Sequence, residues 1–222
     1  MKTFRPGLFV LAAAVILSVG DTASAQARAP LTRGDVNATL GWLAADAAAA
    51  GPYDRDQWKS SLFGAVGAGW HWTDHLKTEV DFGGGTSARA YLSSPVSISG
   101  LPTYRTIERT SSRRILGVSQ QYQFFRNAWF HPHLAAGTNL TWERRTDRAQ
   151  PVFAYDPVTR TSRQVDAGPV EGPRTEFTVR PFVATGFKAY MTRRAFFRSD
   201  LRVGFRNGID EALLRFGFGA DF

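Results

Sequence analysis

The sequence predicts an all-β chain of eight antiparallel strands that close into an up-and-down barrel. Three observations predict it. Apolar and polar residues alternate with period two through eight separate segments, the signature of strands, whose successive side chains leave on opposite faces. The stretches between them alternate between tight turns and longer runs rich in Gly, Pro, Asp and Ser. There is no cysteine and, beyond residue 25, no apolar run approaching the roughly 18 residues of a membrane-crossing helix, so neither disulfides nor such helices organise the chain.

The first 25 residues stand apart. Lys2 and Arg5 form a positive start, Leu8 to Val19 an apolar run broken only by Ser18, and Ala23-Ser24-Ala25 a small-residue cleavage pattern. This is the layout of a secretory signal peptide, which divides the chain into a leader, 1–25, and one barrel domain, 26–222. At 222 residues and 43% hydrophobic, the chain is an ordinary size for one domain and too apolar to be disordered. Its net charge of +8 would suit nucleic acid, but an exported protein meets anionic lipid and lipopolysaccharide phosphate instead.

The strands follow in order. In 35–45, Val36, Ala38, Leu40 and Trp42 oppose Asn37, Thr39 and Gly41; in 58–72, Leu62, Val66, Ala68, Trp70 and Trp72 oppose Ser61, Gly67, Gly69 and His71. Residues 76–90 set Thr78, Val80 and Phe82 against Lys77, Glu79 and Asp81, and 111–125 set Leu116, Val118, Tyr122 and Phe124 against Gly117, Ser119, Gln121 and Gln123. Residues 129–145 oppose Leu134, Ala136, Leu140 and Trp142 to His133, Gly137, Asn139 and Glu143. In 175–191 Phe177, Val179, Val183 and Phe187 oppose Arg180, Gly186 and Lys188, with Phe182 an exception on the polar side. Residues 195–206 place Phe197, Leu201, Val203 and Phe205 against Arg198, Asp200, Arg202 and Gly204, and the last strand places Leu214, Phe216, Phe218, Ala220 and Phe222 against Arg215, Gly217, Gly219 and Asp221.

Thr73-Asp74-His75, Arg126-Asn127-Ala128 and Thr192-Arg193-Arg194 are the tight turns. The intervals 46–57, 91–110, 146–174 and 207–210 are the loops, mostly longer. Inside the third, Val152 to Tyr155 and Arg160 to Val165 flank Asp156-Pro157 as a projecting hairpin.

A soluble β-sandwich would alternate in the same way with its apolar face turned inward. The features that point outward instead are the glycines and full charges sharing the polar face, which suit a narrow lumen, and the placement of the aromatics. Trp42, Trp58 and Trp142 fall at the long-loop ends of their strands, and Trp70, Trp72 and Trp129, with Tyr122, Phe124 and Phe197, at the short-turn ends. Two aromatic belts flanking an aliphatic band mark a bilayer.

Signal segment, eight alternating strands, three tight turns and a final strand ending on Phe222 with aromatics at Phe216 and Phe218 together resemble the small bacterial outer-membrane β-barrels, the group that includes the OmpA transmembrane domain. The resemblance spans the whole chain beyond residue 25. It implies residence in the cell outer membrane, outer-membrane lipid and lipopolysaccharide as surroundings, a monomer, both termini in the periplasm, and a role for Phe216, Phe218 and Phe222 as the signal read by the barrel-assembly machinery.

Eight strands enclose just enough room for side chains. Glu79, Asp81, Glu143, Asp200 and Asp221 share the inferred lumen with Lys77, Arg145, Arg180, Lys188, Arg198, Arg202 and Arg215. Buried charges must pair, so a plugged barrel with a structural or surface-interaction role is expected. Were water to pass, the basic excess would favour anions, making a small channel the alternative. A lipid A-modifying enzyme is the remaining class, but there is no His-x-Ser pair, and His71, His75, His131 and His133 all fall near the short turns, so no catalysis, cofactor or metal is expected. At the opposite rim Arg113, Arg114, Arg144 and Arg145 lie at the depth of lipopolysaccharide phosphates, which arginine binds through paired hydrogen bonds.

Overall fold

A computed structural model describes residues 33–46, 58–98, 101–124, 129–156, 158–206 and 208–222. The leader 1–25 and the 126–128 turn lie outside them. The described strands are β1 (Gly34–Asp46), β2 (Trp58–His71), β3 (Leu76–Gly85), β4 (Ala88–Ile98), β5 (Leu101–Gln123), β6 (Phe130–Ala149), β7 (Val152–Asp156), β8 (Thr161–Asp166), β9 (Val170–Tyr190), β10 (Ala195–Phe205) and β11 (Ile209–Asp221).

Eight of these form a closed ring, β1-β2-β3-β5-β6-β9-β10-β11, and β11 pairs back onto β1 from Asp35↔Asp221 to Ala45↔Glu211. Every pairing is antiparallel. Closure removes the free sheet edges that hydrocarbon would not tolerate. The seam ends in two backbone bonds, Phe222 N to Gly34 O at 2.9 Å and Gly34 N to Phe222 O at 3.3 Å.

The register fixes the geometry. From Trp142 the paired residues run Arg114, Gly84, Gly64, Leu40, Phe216, Ser199 and Phe187, and return to β6 at Pro132. One circuit therefore slips about ten residues along β6. With about 3.3 Å per residue and about 4.8 Å between strands, that slip tilts the strands by roughly 40°. Trp58 and Trp70, at opposite ends of β2, are then roughly 30 Å apart along the barrel axis, close to a bilayer's hydrocarbon thickness.

The apolar face is outside. Leu40 is 75% exposed, and all six tryptophans point outward, while Arg215 on the neighbouring strand is 2% exposed. A water-soluble fold would reverse that assignment.

Two of the short connections share a device. The Thr73 hydroxyl accepts from the amides of His75 (3.3 Å) and Leu76 (3.0 Å), and the Thr192 hydroxyl accepts from those of Arg194 (3.3 Å) and Ala195 (2.9 Å). A threonine opening a tight turn satisfies amides that the ladder leaves unpaired.

In the interval 91–110, expected as a loop, residues 91–98 and 101–110 are strand. After a break at Thr86-Ser87, β4 continues the line of β3 and pairs with β5 from Ala88↔Ser111 to Ile98↔Leu101. Its serines and prolines suggest a loop, but Tyr91, Val96, Tyr104, Thr106, Ile107 and Thr110 are strand formers. Pro95 is tolerated because β4 is an edge strand. β6 runs on to Ala149 and β9 begins at Val170 rather than 175, so β4, β5, β6 and β9 rise past the ring as a sheet. The expected hairpin is present as β7–β8, with Val152↔Asp166 and Asp156↔Thr161 as its end pairs.

Candidate functional site

The lumen holds one connected run of charges. At the short-turn end, Asp35 accepts from Lys188 (2.8 Å), Lys77 (3.0 Å) and His71 (3.3 Å), while Asp221 takes Lys188 (3.3 Å) and the Tyr190 hydroxyl. Lys77 also pairs with Glu79 at 2.6 Å, and Glu79 with Arg198 at 2.8 Å. In the middle, Asp200 joins Arg198 (3.1 Å) to Arg215 (2.9 Å), and Asp81 joins Arg215 (3.1 Å) to Arg202 (2.7 Å). Arg202 donates to the Asn139 side-chain oxygen at 2.9 Å, and Asn139 passes the chain upward by donating to Glu211 at 3.1 Å. Glu211 lies 3.5 Å from both Arg113 and Arg180, and these reach Glu143 (3.0 Å) and Asp210 (3.1 Å).

The inward glycines make room for this run. A Cβ at Gly117 would stand 2.7 Å from an Arg202 nitrogen and 2.8 Å from an Asp81 oxygen, and one at Gly69 would stand 2.8 Å from an Asp35 oxygen. Glycine here is a matter of volume.

Eleven of the twelve charges assigned to the lumen from sequence, Lys77, Glu79, Asp81, Glu143, Arg180, Lys188, Arg198, Asp200, Arg202, Arg215 and Asp221, join this run. Sequence reasoning missed Asp35, Asp210 and Glu211. Asp35 and Glu211 continue the inward parity of β1 and β11, which was the available signal. It also placed Arg113 at the rim with Arg114. Arg113 stands on the inward parity of β5, 8% exposed between Glu143 and Glu211. Arg145, assigned to both places, sits at the mouth 3.9 Å from Glu176.

These shifts alter the charge balance. Among the described residues, seven lumen cations (Lys77, Arg113, Arg180, Lys188, Arg198, Arg202, Arg215) meet eight carboxylates (Asp35, Glu79, Asp81, Glu143, Asp200, Asp210, Glu211, Asp221). The basic excess behind the expected anion preference is not there.

Phe182, the exception on the polar face, is buried with the Arg202 guanidinium 4.0 Å over its ring, a cation–π contact. On the opposite wall Leu43, Phe63, Ala65, Ile115 and Leu213 form a buried apolar cluster. The upper lumen is thus filled by hydrocarbon on one side and paired charge on the other.

Above the ring, arginines at every fourth position of β5 continue inward. Arg113 holds the lumen, Arg109 binds Asp147 of β6 with bonds of 2.8 and 2.7 Å, and Arg105 bonds Asp166 of β8. The Arg109 guanidinium holds the Asp147 carboxyl below the ordinary carboxylate value. Asp166 is lowered too, first by the Gly168 amide at 2.7 Å and then by Arg105. The ladder ties hairpin β7–β8 to the rising sheet.

Among the remaining rim arginines, Arg174 pairs with Glu171 (3.1 Å) and Arg206 with Glu176 (3.6 Å). Arg114 and Arg144 point outward, exposed and without a carboxylate among the described residues. The histidines do not converge. His71 faces Asp35, His75 meets the Gln123 carbonyl at 2.7 Å, His131 lies edge-on to Tyr190, and His133 is buried. No group of three metal-ligating side chains occurs among the described residues.

No protein-family model matches the sequence, and no curated protein matches it. Solved structures do. Neisserial surface protein A is 14% identical, over 85% of this chain and 97% of that one, with a TM-score of 0.50. The N-terminal β-barrel domain of Pseudomonas aeruginosa OprF is 11% identical over 86% of this chain and 98% of that one, with a TM-score of 0.47. Yersinia pestis Ail, the attachment invasion locus protein, is 9% identical over 86% and 99%, with a TM-score of 0.45. At these identities the likeness is one of fold.

Proposed function

We propose, for a chain with the fold of the eight-stranded outer-membrane β-barrels, that it acts through its external surface and not through its lumen. The observation that carries this is the connected run of ion pairs and hydrogen bonds from Asp35 to Glu143, flanked at its upper end by the Leu43–Phe63–Ile115–Leu213 cluster. A barrel filled in this way spans the membrane without conducting.

What stands outside is more elaborate than a set of turns. The β4-β5-β6-β9 sheet and the β7–β8 hairpin, tied by Arg105 and Arg109, hold the exposed Tyr91, Tyr104 and Phe153 at fixed positions beyond the bilayer. Rigid display of aromatic groups favours contact with another surface. In this scheme residues 1–25 are the export leader, Phe216, Phe218 and Phe222 serve barrel assembly, the short turns face the periplasm, and the outward rim arginines meet lipopolysaccharide.

The test is to replace 152–166 by a short Gly-Ser turn. The variant should still shift in gel mobility on boiling, should release no more solute from loaded vesicles than the parent, and should lose adhesion of displaying cells to glycan- or protein-coated surfaces. Full adhesion without the hairpin, or solute release by the parent, would overturn the proposal.

A further inference from the structure

We infer that the outer wall carries a binding site for a phosphorylated lipid, with Arg114 and Arg144 on its phosphate and an acyl chain in the trough beneath Arg114. The site rests on the membrane placement above and names the lipid contact more narrowly.

The first observation is a pair of cations with no internal use. Most described arginines near the long-loop mouth face a carboxylate: Arg89, Arg105, Arg109, Arg113, Arg145, Arg174 and Arg206 each have one within 4 Å. Arg114, Arg144 and Arg148 have none among the described residues; Arg148 lies higher, on the rising sheet opposite Glu108, whereas Arg114 and Arg144 stand on the lipid-facing parity of the ring. Arg114 pairs with Trp142 and Ser112 with Arg144, so the two arginines are diagonal neighbours, roughly 7–8 Å apart. Two guanidinium forks at that spacing can hold one phosphate group between them.

The second observation is height. Trp142 belongs to the upper aromatic belt and packs on Phe177 at 5.4 Å between ring centroids. Arg144 is one step further toward the long-loop side on the same face, and Arg114 lies beside Trp142. A cation on the lipid face is costly at the midplane and nearly free at the interface, so these positions are placed where phosphate is available.

The third is a trough leading down from Arg114. The next two residues in its hydrogen-bonded row are Gly84 and Gly64, both on the outer parity. A Cβ at Gly84 would touch only a carbonyl oxygen, at 3.6 Å, so the space above it is open. Leu40, Phe82 and Phe216 stand along its sides, giving a groove of about 900 Å³ with Arg114 at its head. An apolar groove ending in a cation with no carboxylate among the described residues matches an amphiphile with an anionic head.

The experiment uses the full barrel refolded in an equimolar mixture of diphosphoryl lipid A and phosphatidylcholine, with bound lipid counted by native mass spectrometry. The parent should retain lipid A over phosphatidylcholine, and should lose that preference when the lipid A is dephosphorylated. R114Q/R144Q should lower the preference roughly tenfold, the loss expected for charge-assisted bonds. Gly84→Leu, which fills the trough without altering charge, should lower lipid A retention by a similar factor, and R163Q, a charge change on the remote hairpin, should do nothing. An effect of R163Q equal to that of the rim pair, or retention unchanged by Gly84→Leu, means diffuse charge attraction and overturns the site. Copies of the chain bound to each other through this groove would overturn it as well. A parent that fails to shift on boiling defeats the barrel and the site together, whereas variants that shift normally but keep parental selectivity defeat the site alone.

Discussion

Replacing Asp81 by alanine removes the centre of the lumen run. Its carboxylate accepts from Arg202 at 2.7 and 3.4 Å and from Arg215 at 3.1 Å, and the residue is 2% exposed. Breaking a buried pair from one side costs about 3–5 kcal/mol, because a charge is left without its counterion. Arg202 keeps Asn139 and Arg215 keeps Asp200, which puts the expected loss at the lower end, about 3 kcal/mol. Removing Arg202 as well, as Asp81→Ala/Arg202→Met, deletes one of the stranded charges and should recover roughly half of that. Denaturant unfolding of vesicle-inserted protein, followed by tryptophan emission, measures both. Glu108→Ala is the internal scale: its partner Arg89 is 3.8 Å away and exposed, and such pairs are worth less than about 1 kcal/mol. If Asp81→Ala costs no more than Glu108→Ala, the lumen is as wet as the surface and the closed-barrel account fails.

Other consequences can be checked separately. Asp147 and Asp166 titrate below the ordinary carboxylate value in the folded state. Their contribution to holding the sheet and hairpin is therefore complete above the unfolded value near 3.9 and lost as pH falls below it. Protection of the β8 amides, measured as the exchange rate relative to the intrinsic rate at each pH, should be high at pH 6 and fall at about pH 3 and below, and Arg105→Gln should lower it at both. Gly117→Ala should cost about 1–3 kcal/mol, because its methyl group would press on the Asp81–Arg202 pair, measured by the same unfolding assay. Lipids brominated near the headgroup should quench the outward tryptophans more strongly than lipids brominated at the chain ends, since Trp58, Trp142, Trp70 and Trp72 lie toward the two edges of the apolar band. Phe222→Ala should leave in vitro refolding within about twofold but lower the amount of folded barrel in cells; equal cellular yield would count against an assembly role.

Much of the fold is legible because parity carries two facts at once: which residues form a strand and which side they face. Eight ring strands and the inward set from Glu79 to Arg215 follow from it, while the hairpin over 152–165 follows from the turn signal of Asp156-Pro157. Parity weakens where a strand leaves the membrane. Above Ser111 both faces of β5 meet water or other protein, so Thr103 to Thr110 alternate poorly and read as loop, although β4 pairs with them throughout. The same weakness put Arg113 on the rim. Its neighbour Arg114 points outward, and only the register of β5 against β6, Arg113↔Glu143, separates one arginine of the lumen from one of the outer wall. Asp35 and Glu211 sit near strand ends on the inward parity of β1 and β11, so extending the period by a step or two would have found them. Partners across the lumen, such as Asp81 with Arg202, are beyond any single-strand pattern because they depend on the shear of the closed barrel.

The most direct test of the account is current through a planar lipid bilayer holding the purified, refolded protein, with insertion shown independently by its resistance to protease and its gel shift on boiling. The filled lumen predicts no discrete conductance steps from the parent protein, and none from Arg180→Ala or Arg202→Ala beyond brief, irregular openings. Steady unitary steps from the parent, altered in size or ion preference by those two substitutions, would show a conducting lumen and contradict the central claim.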